Sequence, residues 1–343
     1  MVVDWPIRLL RLATAYKAKL LCSGIFVSQR EPESILQEDL GVDDLAPLRY
    51  VNAKIDFDQQ SVTASCLGIR CTALYRPGLG SSLVMDTCSR TLRQQSQVFE
   101  QWDSATPRVD HDVPTLKGFA GEAQLNAVLA NAFKEENRKR LKRTRAIVVL
   151  HKGHIIAERY APGFSAQTPM LGWSMTKSVV NALIGILVHQ GKLSLDQCEL
   201  LPEWCSPGDE RCSITLDQLL RMCDGLSFSE KYNDPRADAT TMLFQREDMA
   251  AYAARRPLKH QPDSAFHYSS GSSVLLCRVL KQAIGGGLED YFMFPRKVLF
   301  DPLGMASAVL EPDAAGTFTG SSYLYATARD WAKFGLLYLQ DGC

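Results

Sequence analysis

The stretch "SMTKSVVNALIGILVHQGKL" (174–193) constrains the chain most. Apolar residues at 179, 180, 183, 184, 186 and 187 wrap much of a helical surface, and Gly191 stops the run. A helix apolar on most sides must be buried between other elements. Just before it, "AIVVLHKGHIIAERY" reads as two β-rich runs around Lys152-Gly153, a hairpin. A central helix beside an antiparallel strand pair implies an α+β fold, an antiparallel sheet flanked by helices plus a helical region.

The 343 residues suffice for one large core or two ordinary ones. The organisation reads as 1–117, helical and then strand-rich, followed by 118–343. In the first part "SVTASCLGIRCTALY" is strand-like around a central glycine, "RPGLGSS" (76–82) is a turn, and 100–117 is a polar connection. In the second part, helices are expected where Leu125, Val128, Leu129, Ala132 and Phe133 form a stripe, over 214–228, at "EDMAAYAARRPL", at "SGSSVLLCRVLKQAIGGG", and at the end with Thr327 near the cap. Thr215 and Gln218 have capping-box spacing. The stretch "SFSEKYNDPRADATTM" reads as irregular.

The 38 basic and 38 acidic side chains cancel, so nothing calls for a nucleic-acid partner. The basic run 134–145 is expected to be the solvated face of a helix. Ten cysteines include no C-x-x-C pair and no zinc spacing, so no structural metal is called for, and with no Walker or dinucleotide motif the reading needs no organic cofactor. Cys205 and Cys212 flank "SPGDER" within bridging range, but most cysteines are expected to be small buried hydrophobes. His151 and His154 flank the hairpin turn without further ligands. In the N-terminal segment, Arg8, Arg11, Lys17 and Lys19 interrupt every apolar run, which favours an amphipathic surface helix over a membrane span. Membrane association through it, a periplasmic placement and a cytoplasmic one all stay open.

Ser174 and Lys177 stand three positions apart, on one helical face. A serine at a helix N-terminus lies near free N–H groups that stabilise an oxyanion. Its weakly nucleophilic hydroxyl needs a base, and a lysine one turn on serves if burial favours its neutral form. As a bare motif, S-x-x-K is as well read as a helix cap with a snorkelling lysine. Two facts weigh the other way: it is the only S-x-x-K in the chain, and it heads a helix too apolar for the surface. Tyr268, in "FHYSSGSSVLL", precedes another apolar helix. There it suits either a packed aromatic or a proton relay to a leaving group.

With these residues in place, the chain resembles the serine β-lactamase and penicillin-binding-protein superfamily, in its class C-like branch of esterases, D-aminopeptidases and 6-aminohexanoate-dimer hydrolases. The resemblance rests on "GWSMTKSVVNALIGILVHQGKL", "ITLDQLLRMCDGLSF", "FHYSSGSSVLL", "LFDPLGM" and "GSSYLYATARDWAKFGLLYLQDG", in family order over about 118–343. It implies Ser174 as acyl-accepting nucleophile, Lys177 as general base, Tyr268 as proton shuttle, and Tyr232 and Asp234 on a substrate-facing loop. Ser270 stands where many relatives carry the asparagine of Y-x-N. The implied reaction is cleavage of a small amide or ester through an acyl-enzyme. The family's third motif is K-T-G or H-x-G on a strand beside the nucleophile, and no K-T-G occurs here. The letters "HQG" at 189–191 end the Ser174 helix and cannot be that strand. The expectation is therefore a β-lactamase/transpeptidase-like fold lacking its C-terminal strands. The alternative function is a catalytically silent, penicillin-binding-like interaction or sensor protein.

Overall fold

The structure, a computed structural model, describes residues 4–97, 99, 113–137, 141–232 and 234–342. Helix α1 (Asp4–Phe26) is followed by α2 (Pro32–Glu38) and a four-stranded meander. Its strands are β1 (Asn52–Asp56), β2 (Ser61–Cys66), β3 (Ile69–Arg76) and β4 (Gly80–Val84), antiparallel in sequence order. Leu67 and Gly68, both at positive φ, turn β2 into β3, so the strand-like stretch is a hairpin. Helix α3 (Ser89–Gln94) ends this part. Most of the polar connection lies outside the described residues.

Helix α4 (Glu122–Ala132) leads to the expected hairpin, β5 (Ala146–His151) and β6 (His154–Tyr160), bulged between Val149 and Leu150. Strand β7 (Met170–Leu171) enters the buried helix α5 (Thr176–His189) through a 3-10 turn, Trp173–Met175. Val179, Val180, Leu183, Ile184 and Leu187 are buried along α5. Gly191, at φ +69°, follows its end, so His189-Gln190-Gly191 is a helix terminus and not a strand. The helical region comprises α6 (Leu216–Leu220), α7 (Asp238–Gln245), α8 (Met249–Ala254), α9 (Ser270–Ile284) and α10 (Leu288–Pro295). Strands β8 (Val309–Leu310) and β9 (Leu324–Ala326) join β7 in the order β7-β9-β8, and α11 (Ala328–Leu339) packs on β5. Antiparallel sheets between helices make this the expected α+β class.

Several expectations need correction. Helix α1 is not a surface helix. Only its first turns expose apolar side chains, while Leu12, Ala15, Ala18, Leu21 and Cys22 are core, packed on β2, β3 and β4. Its lysines are buried too, because each amine finds acceptors. Lys17 donates to Leu48 O (3.1 Å) and Val51 O (2.6 Å), and Lys19 pairs with Glu311. Among the described residues no helix is long and apolar enough to cross a membrane.

The described residues of the basic run, 134–137 and 141–145, form no helix: α4 stops at Ala132, and Glu135 accepts the Lys142 and Arg143 N–H groups at 2.7 Å each. The 214–228 segment is helical only over α6. Met222 at φ +58° breaks it, and the chain turns to meet Leu258 at Leu226. The capping box at its head is present. The loop expected over 227–242 becomes helix α7 from Asp238. Of nine described cysteines only Cys22 and Cys277 are buried, and all nine are free, Cys205 and Cys212 included.

Candidate active site

Ser174 sits in the 3-10 turn that feeds α5, with its neighbours pinned by one residue of β9. Leu324 accepts the Gly172 N–H through its carbonyl (2.8 Å) and donates its own N–H to Thr176 Oγ1 (3.2 Å). Thr176 is fully buried, so this bond is the local anchor. Gly172 is there for space: a Cβ would lie 2.2 Å from Trp331 Cζ2. Between these anchors Trp173 takes φ +45°, a left-handed conformation that costs a side-chain-bearing residue about 1 kcal/mol or more. Such strain persists only where the surroundings hold it, and it leaves Ser174 exposed at the head of the helix.

Lys177, one turn on, directs Nζ to two oxygens. It donates to Ser321 O at 2.8 Å and lies 3.5 Å from Ser174 Oγ. The same nitrogen stands 4.9 Å from the centroid of the Tyr268 ring. The structure thus brings together three residues from the heads of two helices separated by about a quarter of the chain. Tyr268 stays 37% exposed, ahead of the N-cap Ser269, whose side chain accepts from Ser272 N (3.1 Å). Beside it, His267 holds the Phe228 carbonyl through Nε2 at 2.5 Å, a packing role.

A cavity of about 720 Å³ opens on Ser174. Trp173, Glu230, Tyr232, Phe244 and Ser322 are among its walls, with Tyr16 and Leu45 from the N-terminal segment. Tyr232 therefore faces the cavity, 62% exposed. Ser270 and Asp234 do not line it. Ser270 is buried and gives both its backbone N–H and its hydroxyl (3.3 Å) to the Glu230 carboxylate. Asp234 is held by Arg236 Nε (3.1 Å) and by the Arg236 N–H (2.9 Å), which keeps its carboxyl below the ordinary range.

Glu230 is the residue that the sequence reading missed. It ties the 228–236 loop to the head of α9, and burial followed by its hydrogen bond raises the Tyr232 hydroxyl well above its ordinary pKa. Burial and then Asp39 push the hydroxyl of Tyr16, in the cavity wall, up to about 12. Among the described residues no group of histidine, cysteine and carboxylate side chains is arranged to hold a metal.

A serine and a lysine at the head of a buried helix thus stand beside a tyrosine that precedes a second helix. The chain belongs to the beta-lactamase family, whose model matches residues 129–342. A 6-aminohexanoate-dimer hydrolase of Paenarthrobacter ureafaciens is 24% identical over 218 residues, 58% of this chain and 53% of that protein. The chain thus spans about half the length of that curated relative. Among solved structures, one from Bacillus anthracis assigned as a 6-aminohexanoate-dimer hydrolase matches with TM-score 0.55 at 21% identity, over 69% of this chain and 65% of the other. FmtA from Staphylococcus aureus matches with TM-score 0.51 at 13% identity, over 70% and 72%. These likenesses establish the fold.

Proposed function

We propose that the protein is a serine hydrolase that opens an amide or ester bond through an acyl-enzyme on Ser174. The observation that carries this reading is Lys177 Nζ at 3.5 Å from Ser174 Oγ, at the exposed head of a buried helix, with Tyr268 on its other side. In its amine form Lys177 takes the hydroxyl proton as Oγ adds to the substrate carbonyl. Tyr268 passes a proton to the departing amine or alcohol, and water then cleaves the acyl-enzyme in the reverse sense. Apo distances of this kind tighten when substrate arrives. The helix dipole at the head of α5 favours the negative charge that develops on the carbonyl oxygen.

Tyr232 meets the substrate. Asp234 and Ser270 act behind it, through Arg236 and Glu230, to fix the loop. The 6-aminohexanoate-dimer hydrolase relative supports an amide as one substrate class, and the hydroxyl-nucleophile chemistry suits esters equally. A fluorophosphonate or labelled penicillin tests the reading: a stable adduct forms on Ser174 and is lost in Ser174→Ala. A folded chain that neither reagent labels overturns it.

A further inference from the structure

The cavity of about 720 Å³ that opens on Ser174 draws its walls from both parts of the chain. Trp173, Leu243 and Phe244 come from the second part, the last two on α7. Tyr16 of α1 and Leu45 of the 3-10 segment Asp43–Tyr50 come from the first. The two parts meet in the wall itself, where the Tyr16 and Phe244 ring centroids are 4.5 Å apart. Tyr16 and Leu45 also stand outside residues 129–342, the region the family model matches.

These five side chains make the lining largely apolar. The charged groups around it are engaged or turned to water. Glu230 accepts the N–H and the hydroxyl of Ser270 and is hydrogen-bonded to the Tyr232 hydroxyl. Asp44 and Lys231 carry opposite charges, and both are exposed. A cavity of this size takes a small ligand. Methylenes gain by leaving water for such walls, whereas a charged tail loses its hydration there.

Tyr268 decides which part of a substrate enters. In the serine-hydrolase reading it serves the leaving group, and it is not among the described residues that line the cavity. The leaving group therefore departs outside the cavity, and the acyl group is the part that fills it.

We propose that this cavity is an acyl pocket for an uncharged, apolar chain of medium length, with Tyr16 and Leu45 of the N-terminal part as specificity-determining residues. This rests on the serine-hydrolase reading.

Two measurements separate the pocket from that reading. The first follows p-nitrophenyl acetate, butyrate and hexanoate on the unaltered chain. Each added methylene is expected to raise kcat/KM about two- to fourfold, so that hexanoate exceeds acetate by about thirtyfold. A flat or falling series overturns the pocket and leaves the hydrolase standing. Leu45→Trp fills part of the cavity and lowers kcat/KM for hexanoate about tenfold more than for acetate. If that variant does not fold, Leu45→Gln serves, and the hexanoate-to-acetate ratio falls about threefold. An unchanged ratio in the folded variant overturns the role of the N-terminal wall.

The second measurement needs no catalysis. The Ser174→Ala chain is titrated calorimetrically with hexanamide, 6-aminohexanamide and adipamate, which share a chain and differ in the charge at its end. Hexanamide is expected to bind with a Kd of about 1 mM or below, and each charged analogue at least about tenfold more weakly. Equal binding of the three, or no binding of hexanamide at about 10 mM, overturns the pocket. No hydrolysis of any ester, with the hexanamide preference intact, overturns the hydrolase and leaves a cavity selective for apolar chains.

Discussion

Leu324 grips Thr176 from β9: its N–H reaches Thr176 Oγ1 at 3.2 Å, while its carbonyl takes Gly172 N–H at 2.8 Å. One strand residue therefore brackets Ser174 from both sides. Thr176→Val keeps the shape and removes the acceptor, leaving a buried N–H unpaired. The expected loss is about 1–3 kcal/mol in urea unfolding, with a fall in kcat because the Ser174 turn loosens. A variant as stable as the parent contradicts the anchor.

Gly172 is fixed by contact and not by backbone freedom. Gly172→Ala places a methyl 2.2 Å from the Trp331 ring, so α11 or the Ser174 turn has to shift. Destabilisation of about 1–3 kcal/mol is expected, with a matching loss of Ser174 reactivity. Removing the ring as well, in Gly172→Ala/Trp331→Leu, restores part of both. Thermal unfolding and reagent-labelling rates read the two effects separately.

Lys19 and Glu311 form a buried pair joining α1 to the segment that leads into β9. Glu311 also accepts from Ser23 Oγ (2.9 Å) and Ser81 N (2.7 Å). Lys19→Met strands the carboxylate, and a loss of about 3–5 kcal/mol is expected. Lys19→Met/Glu311→Leu recovers much of it, since both charges leave together. A single variant that unfolds at the parent's midpoint denies α1 this role.

Burial pushes the Asp313 carboxyl up to about 7, against the opposing N–H bonds from Thr317 and Met249. A carboxyl raised on folding binds its proton more tightly in the native state than in the unfolded chain. Its contribution to stability is complete below about pH 4 and is lost as pH rises towards 7, at roughly 1.4 kcal/mol per pH unit at most. Asp313→Asn removes this slope while leaving one backbone donor unpaired. The Tm advantage of the parent over the variant should therefore be largest near pH 4 and shrink by pH 7.5. A gap that widens over that range refutes the assignment.

The proposed trio of Ser174, Lys177 and Tyr268 was legible because helical geometry is regular: three positions at one helix head set Lys177 beside Ser174, and apolar periodicity marked both α5 and α9 as buried. Glu230 was not, since it lies in a loop without period and meets Ser270 forty positions away. Helix α1 was misread for a related reason. Lys17 and Lys19 look like surface charges until their distant acceptors, Val51 O and Glu311, are known. The 214–228 helix was overextended because its apolar letters continue past Met222, where the backbone turns left-handed. Local patterns gave the elements, while long-range polar pairing was visible only in the fold.

The most direct test is of the Ser174–Lys177 pair. Fluorophosphonate is incubated with the chain and with Ser174→Ala, Lys177→Met and Tyr268→Phe, and adduct mass at Ser174 is followed with time. One adduct is expected, on Ser174, absent in Ser174→Ala and slowed by about 10²–10⁴ in Lys177→Met. In Tyr268→Phe labelling is slowed less, because that hydroxyl serves the leaving group. A folded chain that stays unlabelled, or one labelled as fast without Lys177 as with it, contradicts the account and returns the protein to the catalytically silent, penicillin-binding-like reading.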